Sequence, residues 1–153
     1  MKLNSSDFLG IIPARFNSTR LKGKPLMKIG EKTMIEHVYS RASEVLDNLV
    51  VATDDKNIFD TVNNFGGNVV LTEKDHLNGT SRCLEAVDIW SKELEKSFNY
   101  IINIQGDEPL LHEDHIIKVI ECFNDSETEF ATIAQELNSS DNLPKNTLSL
   151  GKL

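Results

Sequence analysis

Short apolar runs rich in β-branched residues alternate with longer segments whose apolar residues recur every three to four positions. This alternation constrains the fold more than any other feature of the chain. The short runs are residues 8–12, 49–52, 69–71, 100–104 and 130–134. Between them, Met34, Val38, Ala42 and Val45 share one helical face, as do Ile58, Val62 and Phe65. Cys83, Val87, Trp90 and Leu94 form a third stripe, and Ile116, Val119, Ile120 and Phe123 a fourth. Asp54 or Asp55 is placed to cap the second helix, and Gly66 with Gly67 to end it. The expected fold class is α/β: strands and helices in strict alternation, closing on a fifth strand. Near-continuous apolar strands joined by helices imply a mostly parallel sheet with helices on both faces. In such sheets ligands lie at the carboxyl ends of the strands.

Charge and length exclude several classes. Lys plus Arg number 16 and Asp plus Glu 24, a net charge of −8. A wholly basic nucleic-acid binder is excluded at a pI near 5.0. No apolar run approaches the ~20 residues that span a bilayer, so no membrane partner is expected. The apolar residues 8–12 are too few for a signal-peptide core. Cys83 and Cys122 both fall on apolar helical stripes, so both are expected as buried free thiols in a reducing compartment, which points to the cytoplasm.

Two loops carry the chemistry. After the first run, residues 13–32 hold six basic side chains (Arg15, Arg20, Lys22, Lys24, Lys28 and Lys32) and one acid, Glu31, a local +5 in an acidic chain. A basic loop at a strand's carboxyl end, with small residues whose N–H groups can face an anion, suits a polyphosphate. It reads equally as a solvated basic loop. It is not a Walker A loop, which would need Gly at Ser18 and Ser or Thr at Pro25. After the fourth run comes Gln105-Gly106-Asp107-Glu108-Pro109. These are turn residues in any protein, but an acid past a buried strand can also hold Mg²⁺ together with phosphate oxygens. Taken together, the two loops favour a metal–triphosphate site.

A third loop, Asn78-Gly79-Thr80, reads either as a tight turn or as a place where a nucleobase approaches the backbone, with Arg82 opening the next helix. His112 and His115 lack the spacing of a zinc helix, and no nucleophile elbow or dinucleotide fingerprint is present. Phe16 is the only aromatic residue among the basic ones of the first loop, too few for a stacking platform on RNA.

Four ordered blocks resemble one family. They are Ile11-Ile12-Pro13-Ala14-Arg15 with Ser18-Thr19-Arg20-Leu21 and Gly23-Lys24-Pro25-Leu26; Val51-Ala52-Thr53-Asp54; His76-x-x-Gly79-Thr80-x-Arg82; and Asn103-x-Gln105-Gly106-Asp107-Glu108-Pro109. They are similar to the amino-terminal portion of the 3-deoxy-manno-octulosonate (Kdo) cytidylyltransferases. Sialic-acid cytidylyltransferases share the opening but usually continue with a different loop. The resemblance implies a Rossmann-like nucleotidyltransferase fold of which this chain carries a carboxyl-terminally truncated part. It also implies the transfer of CMP from CTP to the anomeric hydroxyl of Kdo, with Mg²⁺ as cofactor. CTP and Kdo are the implied partners, and family members are homodimers.

Carried over by motif, Arg15 and Lys24 contact the triphosphate, supported by Arg20 and by the Ser18 and Thr19 backbone. Ala14, Gly79, Thr80 and Arg82 surround the cytidine, Asp107 is a Mg²⁺ ligand, and Gln105 faces the nucleotide or the sugar. Arg15, Lys24 and Asp107 are the expected catalytic set. Asn78 replaces a usual Ser and Lys22 a common Pro. On this reading residues 1–137 form the nucleotide-binding part, and 138–153 a tail that matches the family poorly. A second metal aspartate, most sugar contacts and much of the dimer interface are expected beyond this stretch. The chain as it stands is therefore expected to bind CTP without useful turnover. A cytidylyltransferase for a related acidic sugar, or a CTP-binding fragment without catalysis, are the alternatives.

Overall fold

The computed structural model describes residues 3–17 and 21–134 of the 153-residue chain. In chain order the elements are β1 (Phe8–Ala14), β2 (Lys28–Ile29), β3 (Lys32–Thr33), α1 (Met34–Ser43), β4 (Leu49–Thr53), α2 (Lys56–Asn64), β5 (Val69–Leu71), α3 (Gly79–Glu93), β6 (Tyr100–Asn103) and α4 (Glu113–Cys122). Four strands form one sheet in the order β5-β4-β1-β6, with every pair parallel. The register sets Ala14 beside Thr53 and Thr53 beside Leu71, while Ile11 pairs with Asn103. The carboxyl ends of all four strands therefore share one edge.

The apolar runs become strands because both faces of the sheet are covered. Alternate side chains of a strand point to opposite faces, and β1 shows the consequence. Phe8, Ile12 and Ala14 pack with Ile35, Val38 and Ala42 of α1, Ile58 and Val62 of α2, and Ile116 of α4. Leu9 and Ile11 turn the other way, onto Cys83, Ala86 and Trp90 of α3. Three helices thus cover one face and α3 the other. Phe8, Leu9, Ile11 and Ile12 are all wholly buried, and each such side chain contributes about 1.5–3 kcal/mol of burial free energy.

The helices start where the caps allow. Thr33 Oγ1 accepts the Glu36 N–H at the start of α1. Of the two candidate aspartates, Asp55 is the cap of α2, with Oδ1 accepting from the N–H groups of Asn57 and Ile58. Asn78 caps α3 through Ser81 N–H, so Asn78-Gly79 opens a helix and is not a hairpin turn.

Two expectations are corrected. Residues 130–134 form no strand. Phe130 is 62% and Ile133 41% exposed, and among the described residues β6 pairs only with β1. An apolar run makes a strand only when a neighbour supplies the ladder and a face to bury. Cys122 is exposed, not buried. It lies six residues after the buried Ile116, and at 3.6 residues per turn that places it about 240° round the helix, away from the core. Cys83 is buried as expected, and burial pushes its thiol up to about 11, with the Arg82 charge offsetting only part of this.

The structure adds a small antiparallel ribbon, β2–β3. It turns through Gly30, whose positive φ of 63° suits a residue without Cβ. Among the described residues no helix is long and apolar enough to cross a membrane.

Candidate functional site at the carboxyl edge of the sheet

The next strand of this sheet after β1 is β4, which lies on one side of it, whereas β6 lies on the other. The chain thus reverses its direction of winding at β1, and the crevice between the β1 and β6 loops is the topological switch point where α/β sheets bind ligands. The loop after β1 folds back on itself. Gly23 takes a left-handed backbone (φ 69°), and its N–H reaches the Phe16 carbonyl at 2.8 Å. A Cβ at Gly23 would also meet the Phe16 ring at 3.1 Å. Lys24 then opens a single 3-10 turn through Leu26.

From the other side of the crevice, β6 runs into a turn at residues 105–108, closed by Glu108 N–H on the Gln105 carbonyl. Gly106 lies against the end of β1: a Cβ there would stand 3.1 Å from the Pro13 carbonyl oxygen. This close approach delivers Asp107 to the β1 loop. Lys24 Nζ and Asp107 Oδ2 form an ion pair at 2.7 Å across 83 positions of sequence. Lys24 is about a third exposed and Asp107 about half, so both remain open to a ligand.

The third loop packs beside the other two. Arg15 Nη2 donates to the His76 carbonyl at 2.7 Å. Gly79, at the start of α3, sits in ordinary contact with Pro13 of β1, 3.5 Å from where its Cβ would be. Ala14 is buried at the end of β1, Thr80 is half-buried and Gln105 is exposed. The structure therefore gathers Ala14, Arg15, Lys24, Gly79, Thr80, Gln105 and Asp107 at one sheet edge. Ser18, Thr19 and Arg20 lie outside the described residues.

Arg82 is the remaining residue expected around the cytidine. It belongs to the first turn of α3, but its guanidinium is wholly buried behind the loops. Nη2 pairs with Asp54 Oδ2 at 3.1 Å and Nη1 donates to Thr72 Oγ1. It thereby ties α3 to the residues that follow β4 and β5. Sequence reading missed Asp54 and Thr72 as its partners, because their spacing of 28 and 10 residues follows no helix or strand period.

Mg²⁺ takes one or two carboxylates and completes its shell with water and phosphate oxygens. Asp107, a half-exposed carboxylate beside a lysine, fits that demand when a polyphosphate supplies the other ligands. No cluster of three or more His, Cys, Asp or Glu is present among the described residues, so the donor set does not suit an all-protein metal cage. A shallow depression lined by Leu3, Asp7, Lys96 and Tyr100 lies at the opposite, amino-terminal edge, away from this chemistry.

The cytidylyltransferase family model matches residues 9–150. The chain is 45% identical over 134 residues to the 3-deoxy-manno-octulosonate cytidylyltransferase of Parabacteroides distasonis, covering 88% of this chain and 52% of that protein. It is 49% identical over 132 residues to the one from Fusobacterium nucleatum, covering 85% and 52%. The chain thus spans about half the length of the curated relatives it matches. A solved CMP:2-keto-3-deoxy-manno-octonic acid synthetase complexed with CTP superposes with a TM-score of 0.71 at 37% identity, covering 78% of this chain and 48% of that one. A 4-diphosphocytidyl-2C-methyl-D-erythritol synthase at 18% identity and TM-score 0.60 shares the fold.

Proposed function

The chain belongs to the cytidylyltransferase family, and from that premise we propose that it forms the CTP-binding part of an enzyme that transfers CMP to the anomeric hydroxyl of 3-deoxy-manno-octulosonate. The observation that supports this most directly is the Lys24–Asp107 contact across the switch-point crevice. It joins a cation for phosphate and a carboxylate for a divalent ion at the place where an α/β sheet binds nucleotides.

In the proposed reaction the sugar hydroxyl attacks the α-phosphorus of CTP and the bond to pyrophosphate breaks. Arg15 and Lys24 hold the triphosphate and offset the negative charge that develops as pyrophosphate departs. Arg20 and the Ser18–Thr19 backbone support that grip. The end of β1 at Ala14 and the start of α3 at Gly79 and Thr80 form the pyrimidine's walls. Arg82 acts from behind, by holding these loops in register. Gln105, on the same edge, faces the nucleotide or the sugar. Asp107 is the residue that would hold Mg²⁺, and the ion, when bound, neutralises charge on the phosphoryl oxygens.

The test of the reaction is a pyrophosphate-release assay with CTP, Kdo and Mg²⁺. It is run on this segment joined to the carboxyl-terminal half of the Parabacteroides relative. Release that requires both CTP and Kdo is the expected result. Release with CTP that is indifferent to Kdo, or that appears only with a different acidic sugar, would contradict the assignment of the acceptor.

A further inference from the structure

A hydrogen-bond chain holds the loop between β5 and α3, and the proposed function makes no use of it. Every residue from 73 to 78 is exposed except His76, and Leu77 beside it is 95% exposed. His76 is gripped at both ring nitrogens. Nε2 is hydrogen-bonded to Glu85 Oε2, two turns into α3, and Nδ1 lies 3.1 Å from Ser81 Oγ. Both partners are anchored in turn. Glu85 accepts the Glu73 N–H on its two oxygens, at 3.1 and 3.0 Å. Ser81 Oγ donates to the Asn78 carbonyl at 3.0 Å. One residue is thus fastened through its side chain to α3 while its main-chain carbonyl receives Arg15 Nη2 at 2.7 Å.

We propose that His76, with Glu85 as its anchor, is a positioning residue that sets the Arg15 guanidinium for the nucleotide's phosphates. The proposal rests on the assignment of Arg15 to the triphosphate. A guanidinium is planar and carries five N–H donors, so one bond to a fixed carbonyl orients the group and leaves donors for phosphate oxygens. A free arginine has much rotamer freedom to lose on binding. Holding it beforehand transfers that cost from the binding step to folding. The carbonyl can do this only if its own loop is held, and among residues 73–78 the half-buried His76 is the one fastened to α3 by its ring.

The experiment is a calorimetric titration of this chain with CTP and Mg²⁺, set out as a double-mutant cycle. Arg15→Ala is expected to weaken CTP by about tenfold or more. His76→Ala is expected to weaken it by roughly three- to tenfold although it removes no atom that touches the nucleotide. The double variant should be no weaker than Arg15→Ala alone, because the two act as one unit. Glu85→Gln keeps an acceptor for the Glu73 N–H and carries the test if His76→Ala does not fold. It should weaken CTP about threefold in the parent chain and not at all beside Arg15→Ala. Losses that simply add, or a His76→Ala variant that binds CTP like the parent, would overturn the proposal while leaving Arg15 in place. Unchanged CTP affinity in Arg15→Ala would instead overturn the triphosphate assignment itself, and the proposal with it.

Discussion

Arg82→Ala is expected to lower the stability of this chain by about 3–5 kcal/mol, the cost of breaking a buried ion pair by removing one partner. The guanidinium is wholly buried, and Thr72, which accepts from it, is only 8% exposed. Removing the side chain leaves Thr72 Oγ1 without its buried donor and Asp54 without its counter-charge. It also opens a cavity where the aliphatic stem packed. Among the described residues the Nε–H of Arg82 has no partner, so the net worth of the whole arrangement is smaller than the cost of truncating it. Urea denaturation checks this, with the loss read from the shift in midpoint at an unchanged m-value. A loss under about 1 kcal/mol, the range of an exposed ion pair, would mean that Arg82 is not the tie between α3 and the ends of β4 and β5.

Lys24→Ala is expected to behave in the opposite way, with a large loss of CTP affinity and little loss of stability. A cation facing phosphate makes a charge-assisted contact of about 1.5–3 kcal/mol, so the dissociation constant should rise about ten- to a hundredfold. The Lys24–Asp107 pair is itself a third to a half exposed, and such pairs contribute only about 0–1 kcal/mol to folding. Parallel titration and urea curves on the same preparation separate the two effects. A variant that unfolds earlier but binds CTP as tightly as the parent would make Lys24 a structural residue.

The contrast between these two side chains shows what could be read from the sequence. Lys24 was legible because a local excess of positive charge after a buried strand is visible without coordinates. Asp107 was legible because an acid stands just past an apolar run, after Gln105 and Gly106. Arg82 was legible only as part of a motif. Hydropathy treats an arginine as exposed, and only the assembled sheet brings Asp54 and Thr72 close enough to bury it. The same limit applies to His76 and Glu85, whose nine-residue spacing joins a loop to a helix face and follows neither period.

The strands and helices that enclose the core were read correctly because their apolar patterns have two sides to satisfy. Residues 130–134 carried the same pattern but, among the described residues, have no ladder neighbour and form no strand. Cys122 falls within the fourth helical stretch but lies on the turn that faces away from Ile116. The strand order, which puts β6 beside β1 and creates the crevice, is a property of chain crossovers that periodicity does not encode.

On the proposed function, the carboxyl edge of this sheet reads a cytidine nucleotide and not merely a polyphosphate. The most direct measurement is a competition titration of the chain with CTP and ATP at saturating Mg²⁺. CTP is expected to bind at least about tenfold more tightly, a difference of about 1.4 kcal/mol, because on the proposed function the base meets the β1 end at Ala14 and the α3 start at Gly79 and Thr80, while the phosphate contacts are common to both nucleotides. Equal affinity for the two nucleotides would contradict it and reduce the site to a place where any triphosphate is held by Arg15 and Lys24.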